Sequence, residues 1–550
     1  MRVACDVLIV GGGTGGVAAA LAACEGGARV VMTEPTDWVG GQLTAQAVPP
    51  DENQWIESFG STRRYRAFRE GVRDGYRRRG ALTPDAASSA TLNPGGGWVS
   101  RLCHEPAVGE RVLRGMLAPH EASGRLTLLG ETDLLSADVE GDVVRGTAFL
   151  RRSDGARVEI DARYVLDATE LGDVYEAARV EHMIGGEGSA AFGELHGRAD
   201  AGDPRDQQAI SWCFAVEHRP GEDHRGPRPA AYDRWRSFVP AMAPGEAPWP
   251  GPLFSWTVPS HNQEGRRTFP FIPWPDGCPP GVWDMWRYRR IVDRSIYQPG
   301  REPAEVCLVN WVQMDYWDKP LLGVSAAERE TALQEARGLS ECLLYWLQTD
   351  APRHDGDGHG YPGLRPHGAS VGTADGFAKA AYIREPRRLV ARRIVTEGDI
   401  GTEQRRLEGR DRTARAAAGH EVPAMGLAEP FADSVGVGHY LLDLHPSVSG
   451  RNSVYVPASP FRIPLGALIP VRVRNVIAAG KGIGVTHITN GCYRMHAVEW
   501  NVGESAGALA AHCLARGLEP AQVWESAERT REFQALLSRD GVPLAWPWEA

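Results

Sequence analysis

Short apolar runs that end in glycine mark both ends of the chain. Residues 7–10 are an unbroken Val-Leu-Ile-Val run that reads as a buried parallel strand, and it passes through six residues, five of them glycine, into the helix formers of 17–23. Residues 29–32 are a second short strand leading to Glu34. The pattern then turns amphipathic and Arg-rich, predicting helices over 65–78 and 105–118. Residues 126–135, 143–150 and 157–160 are β-runs separated by Glu140-Gly141-Asp142 and Ser153-Asp154-Gly155, which predicts a hairpin meander. Apolar strands return at 164–167 and 475–478, and a small-residue helix at 503–511. Residues 435–445 read as one strand with His439, Leu441, Asp443 and His445 on a single face, and 309–317 as another β-like segment.

At 550 residues the chain can bury a large core, and it has no run of about 18 apolar residues to span a bilayer. Sixty basic against 70 acidic residues give a net charge of −10, so nucleic acid is not an expected partner. Only Lys319, Lys379 and Lys481 are lysines, so a lone arginine carries little information here. Nine scattered cysteines without CxxC spacing predict free thiols, and 7–10 lacks the flanks of a signal peptide; both lead to an expectation of a cytoplasmic protein.

Gly11, Gly13 and Gly16 satisfy G-x-G-x-x-G between a strand and a helix. Such glycines permit the tight turn, the approach of a pyrophosphate to backbone amides and close helix packing, with Thr14 and Gly15 in the same loop. Glu34 stands where an acid accepts both ribose hydroxyls, which disfavours a 2′-phosphate. The unit predicts a dinucleotide site.

With three further segments the chain resembles the FAD-dependent oxidoreductases of the glutathione-reductase-like superfamily. The first, Gly40-Gly41-Gln42-Leu43, is similar to the stretch that runs beside the flavin. The second, Ala168-Thr169 to Gly172, resembles the superfamily's "ATG" segment, with Glu170 and Leu171 before the glycine. The third is Gly480, near the pyrophosphate in such enzymes, where Lys481 replaces the usual acid. In one bacterial branch of about this length a G-x-x-R segment, here Gly491 to Arg494, precedes the last helix, whose dipole would face reduced flavin.

The resemblance implies FAD as cofactor and an α/β fold: a three-layer Rossmann-like FAD-binding domain with a β-meander insertion, and a mixed α+β substrate domain. The FAD domain is expected to be discontinuous, from 1–45, 95–180 and 466–520, with 46–94 inserted near the flavin. Residues 181–465 would form the substrate domain and 521–550 a C-terminal tail. The glycines of 480–484 lack G-x-G-x-x-G spacing, so a second nucleotide domain is not expected.

Arg494, His496, His439 and Asp443 are the candidate catalytic residues. Polar groups on one strand face suit deprotonation of a hydroxyl or amine, because hydride leaves carbon more easily as the heteroatom loses its proton. The expected reaction is hydride removal from an alcohol or amine carbon of a small polar metabolite, with electrons passing to O2 or a separate acceptor. The alternatives are a flavin monooxygenase reduced by external NAD(P)H or a partner, and a thiazole-synthase-like or structural dinucleotide-binding protein. Cys103 and His104 are residue types that attach flavin covalently, although a buried thiol and a helix-start histidine are the favoured explanation. His354, Asp355, Asp357, His359 and His367 offer metal-ligand types without strict spacing, and no metal is expected.

Overall fold

The computed structural model describes residues 2–260, 266–273, 283–354, 356–415 and 422–549. Strand β1, Arg2–Val10, ends in four buried residues, because the Val-Leu-Ile-Val run has a strand on each edge and a helix over its face. It is followed by helix α1, Thr14–Glu25, and strand β2, Val30–Thr33. Helices α2, Arg63–Arg78, and α3, Pro106–Ala122, form where amphipathic patterning predicted them, and Thr62 caps α2 by accepting from Tyr65 N.

Strands β3 (Leu126–Leu129), β4 (Thr132–Glu140), β5 (Val143–Arg151) and β6 (Ala156–Asp167) complete a sheet of order β3-β2-β1-β6-β5-β4, and Val476–Ala478 also pairs with β6. Pairing is parallel from β3 through β6 and antiparallel through the β4-β5-β6 meander. Two runs divide differently from the sequence pattern. The 126–135 run breaks at Gly130-Glu131, where Glu131 takes φ 52°, so its first half joins the parallel edge and its second half begins the meander. Conversely, 157–160 and 164–167 are one strand. One edge of β6 follows β1, while the other passes from β5 to Val476–Ala478.

Helix α4, Ala326–Thr349, opens on a capping box at Ser325, and helix α5 spans His496–Arg516. The small-residue run of 503–511 is thus the middle of α5, not its start. A Cβ on Gly503 would lie 2.0 Å from the Gly15 carbonyl oxygen, and one on Gly507 2.1 Å from that of Ala19. Small residues are needed there because α5 meets α1 backbone to backbone. Glu504, fully buried on α5, accepts from Arg64 Nη1 at 2.6 Å, Thr62 Oγ1 at 2.6 Å and Trp500 Nε1 at 3.0 Å, fastening the 46–94 region to the helix.

The second half centres on an antiparallel sheet of order Arg290–Val292, Val306–Val309, Phe214–His218, Leu364–Pro366, with α4 and an aromatic core that includes Trp235, Trp256, Phe271 and Trp346. Residues 435–445 are not one strand. Ser434–Gly438 pairs with Phe461–Pro464, and Leu442–Leu444 with Val454–Val456. After 520 the chain forms helix Ala527–Arg539 and buries Trp546 and Trp548 against Trp55. Among the described residues, no helix is long and apolar enough to cross a membrane.

Candidate functional site

The glycine loop, the end of β6 and the end of Val476–Ala478 converge. Gly11 adopts φ +96°, and a Cβ there would stand 2.4 Å from the Ala168 carbonyl oxygen. A Cβ on Gly15 would lie 2.0 Å from the Ala479 oxygen, and one on Gly16 2.0 Å from the Gly11 oxygen. Gly40 and Gly41 run alongside: Gly40 N donates to Gly12 O at 2.8 Å, and Thr14 Oγ1 to Gly40 O at 2.9 Å. Between these backbones lies a cleft of about 590 Å³ whose walls include Gly11, Gly13, Glu34, Gly41, Ala168 and Thr169.

The walls fit FAD. The loop approaches the cleft with bare backbone at the N-terminus of α1, which favours a pyrophosphate. On its wall, Gln46 Oε1 is buried without a hydrogen-bond partner. Burial pushes the Glu34 carboxyl up to about 7, against hydrogen bonds from Thr36 N, Thr36 Oγ1 and Gly12 N. Between pH 4.5 and 7 the folded FAD-free protein therefore binds more protons at Glu34 than the unfolded chain does, and its stability falls as pH rises through that window. Glu34→Gln is expected to flatten this loss, read as denaturation midpoints of the FAD-free protein at a series of pH values.

Lys481 pairs with Glu170, which stands over Gly13 and Gly41, so the departures at 170 and 481 compensate each other. Burial also pushes the Glu499 carboxyl up against the opposing pull of Lys481, and Gln42 Nε2 donates to it. Gly172 takes φ +70° in a turn against Arg387, and Leu43 is buried below the cleft.

A second cavity, of about 530 Å³, adjoins the first across residues 380–384: Ala381 and Ile383 face the cleft, and Tyr382 and Arg384 the cavity. Arg494 is part of this cavity's wall. Its backbone carbonyl accepts from Gln42 Nε2 at 3.0 Å, and its guanidinium donates to Tyr382 Oη at 2.6 Å and Asp443 Oδ2 at 3.1 Å. On the other side of Asp443, His445 Nδ1 meets Asp315 Oδ2 at 2.6 Å, while Nε2 is 3.8 Å from Asp443 Oδ2. Burial alone would raise the Asp315 carboxyl, but Arg384 and His445 hold it below its usual range. An ionised Asp315 fixes the proton on Nδ1 and leaves Nε2 as a base.

Of the candidate catalytic residues, Arg494 and Asp443 meet in this cavity. His496 stands behind it, its Nδ1 accepting from Asp51 N at 2.9 Å, and burial with nearby Arg289 and Lys481 keeps the ring neutral. His439 is elsewhere: the break after Gly438 turns it onto Trp55, ring centroids 4.9 Å apart, and burial lowers it to about 4. Strand alternation therefore did not unite His439 with Asp443 and His445. Cys103 and His104 border neither cavity. Cys103 is buried with its thiol pushed up to about 12, and His104 Nδ1 bonds Leu102 O at 2.9 Å. The eight described cysteines are all free and buried. Asp355 lies outside the described residues, and among those described no three potential ligands cluster as a metal site. Asp51, Arg289, Tyr382, Arg384 and Tyr440 escaped sequence reasoning, because each comes from an irregular segment without a motif.

The sequence model of the family described as "FAD dependent oxidoreductase" matches residues 6–537. Among solved structures, similarity extends to L-proline dehydrogenase from P. horikoshii, at 18% identity and TM-score 0.17, over 30% of this chain and 23% of that one. The myxobacterial chondrochloren halogenase CndH shares 18% identity at TM-score 0.22, over 41% of this chain and 45% of that one. E. coli quinol fumarate reductase FrdA shares 12% at TM-score 0.31, over 98% of this chain and 74% of that one. The chain thus spans less than half the length of the first two, and assignment rests on the family match. Among curated proteins, none matches.

Proposed function

The chain belongs to the FAD dependent oxidoreductase family, and on that premise we propose that it oxidises an alcohol or amine carbon of a small polar metabolite, with electrons then passing to O2 or a separate acceptor. The observation that carries this reading is the His445–Asp315 pair, with His445 on the wall of a cavity that shares the 380–384 segment with the dinucleotide cleft.

FAD, when bound, supplies the hydride acceptor. The loop of 11–16 would hold its pyrophosphate and Glu34 its adenosine ribose, with 40–43 beside the ring. Substrate would lie in the 530 Å³ cavity, a size suited to a small metabolite, with its reacting carbon toward Tyr382 and Arg494. His445 Nε2 takes the proton from the hydroxyl or amine while Asp315 stabilises the imidazolium that results. The C–H bond breaks with its electron pair leaving as hydride, and the C=O or C=N product forms. Aromatic walls, among them Tyr288, Trp311 and Tyr440, exclude water from the step.

The test is anaerobic mixing of the FAD-loaded protein with a panel of alcohols and amines. Loss of the oxidised flavin's visible absorption with one of them, and its return on admitting air or a dye, is the expected result. Reduction by NAD(P)H alone, with oxygen incorporated into product, would replace this reading by a monooxygenase.

A further inference from the structure

Buried arginines in this protein are answered by carboxylates. Arg384 meets Asp315 at 3.0 Å, Arg494 meets Asp443 at 3.1 Å, and Arg290 meets Asp293 at 2.5 Å and Glu305 at 2.7 Å. Arg289 departs from that rule. It lies between the helical turn Met285–Tyr288 and strand Arg290–Val292, and its side chain lines the 530 Å³ cavity. It is 9% exposed, and its Nε and Nη1 have no hydrogen-bond partner. Its guanidinium lies over the Tyr288 ring, 5.1 Å from the centroid, and no described carboxylate stands within ion-pair distance.

The same cavity holds the complementary vacancy. Asp51 is 6% exposed, its backbone is fixed by His496, and its Oδ1 accepts no hydrogen bond. Asp51 and Arg289 line the same cavity without an ion pair; burial and the neighbouring Asp443 raise the Asp51 carboxyl, against the pull of Arg289, Arg494 and His445. Among the other charged lining groups, Asp284 accepts from Arg287 N at 2.9 Å and Arg267 is exposed. A desolvated cation and a desolvated acceptor facing one cavity are costly unless something sits between them.

We infer that the cavity binds a 2-hydroxy- or 2-amino-carboxylate, its carboxylate held by Arg289 and its hydroxyl or amine between Asp51 and His445: an amine has a hydrogen for each, and a hydroxyl turns its single hydrogen from Asp51 to His445 Nε2 for the step. An anion on Arg289 neutralises the buried charge, and the planar guanidinium suits a carboxylate in two-point contact. The donor group is assigned to the adjacent carbon because Asp51, Arg289 and His445 line one cavity and His445 takes that group's proton. Aromatic walls complete the site around an apolar body. The inference rests on the oxidation proposed above and specifies its substrate.

The test uses acids that bind but cannot lose hydride. 2-Hydroxy-2-phenylpropanoate and 2-amino-2-phenylpropanoate carry no hydrogen on the relevant carbon, so calorimetric titration of the oxidised FAD-loaded protein reads binding alone. One of the two is expected to bind, and its amide about 100-fold more weakly. 2-Phenylpropanoate, which lacks the donor, should bind about tenfold more weakly. Arg289→Leu should bring the acid to the level of the amide, with Arg289→Lys between; FAD content and circular dichroism check that each variant folds. Equal affinity for acid and amide, full affinity in a folded Arg289→Leu, or no binding of either acid would overturn the assignment. Should Arg289→Leu not fold, the acid–amide comparison on the unaltered protein decides the matter. Binding of the blocked acid without oxidation of any 2-hydroxy or 2-amino acid that keeps its hydrogen would sink the oxidation reading and leave the site standing.

Discussion

Replacing Gly15 with alanine is expected to give a protein that purifies without yellow colour and melts early. The new methyl group would sit 2.0 Å from the Ala479 carbonyl oxygen and 3.1 Å from Gly480 Cα, both backbone atoms of a buried turn that has no rotamer to change. From the other side Gly503 already packs its Cα on the Gly15 backbone, so α1 cannot back away without losing α5. Relief must come from opening the junction of loop, β6 and Val476–Ala478, where the dinucleotide would lie. We expect a loss of roughly 3 kcal/mol or more of stability, at the top of the range for overpacking because the clash is with backbone. FAD affinity should fall about 100-fold with the distorted loop, the equivalent of about 2.7 kcal/mol. The ratio of visible to ultraviolet absorbance and a thermal melt are sufficient. A yellow Gly15→Ala protein with an unchanged melting temperature would mean that the loop is not built as described.

His445→Gln should slow flavin reduction by about 10²–10⁴-fold, the usual contribution of a positioned base. Glutamine keeps a polar group of comparable size at a half-buried position, so substrate affinity and FAD content should change only a few-fold. Asp315→Asn tests the same unit from behind. It removes the negative charge and one of the two acceptor oxygens, so either His445 Nδ1 or the buried Arg384 loses its partner and the other keeps only a neutral one, and both rate and stability should drop. Rapid-mixing rates across pH separate the two: loss of the base removes the dependence on a single ionisation, whereas a purely structural role lowers the rate equally at every pH. A His445→Gln variant that reduces flavin at the normal rate would move the base to another residue.

The dinucleotide half was legible in the sequence because its determinants are local. A strand running into glycines permits a tight backbone turn, and the φ of +96° at Gly11 is one that glycine adopts at little cost. The parallel strands announced themselves as apolar runs, since a strand covered on both edges and faces has no polar alternation. Local reasoning erred where a neighbour rewrote the pattern. The alternation of 435–445 promised one strand, but a Cβ on Gly438 would meet Phe461 at 2.5 Å, and the chain leaves its partner strand there, so His439 turns away from Asp443. The small residues of 503–511 suggested a helix start, whereas they record the passage of α1 across the middle of α5.

What the sequence determined by itself is thus the strand–glycine–helix unit, its terminal Glu34, the meander and a dinucleotide site, with FAD added by the family resemblance. Tertiary structure alone decided the substrate cavity. Asp443 and His445, two residues apart, were legible as a pair, but Asp51, Arg289, Tyr382 and Arg494 come from separate segments and join them only on packing. No spacing rule connects these segments, because their contacts are set by packing across hundreds of residues. An unanswered charge such as that of Arg289 is visible only once every partner it lacks has been placed.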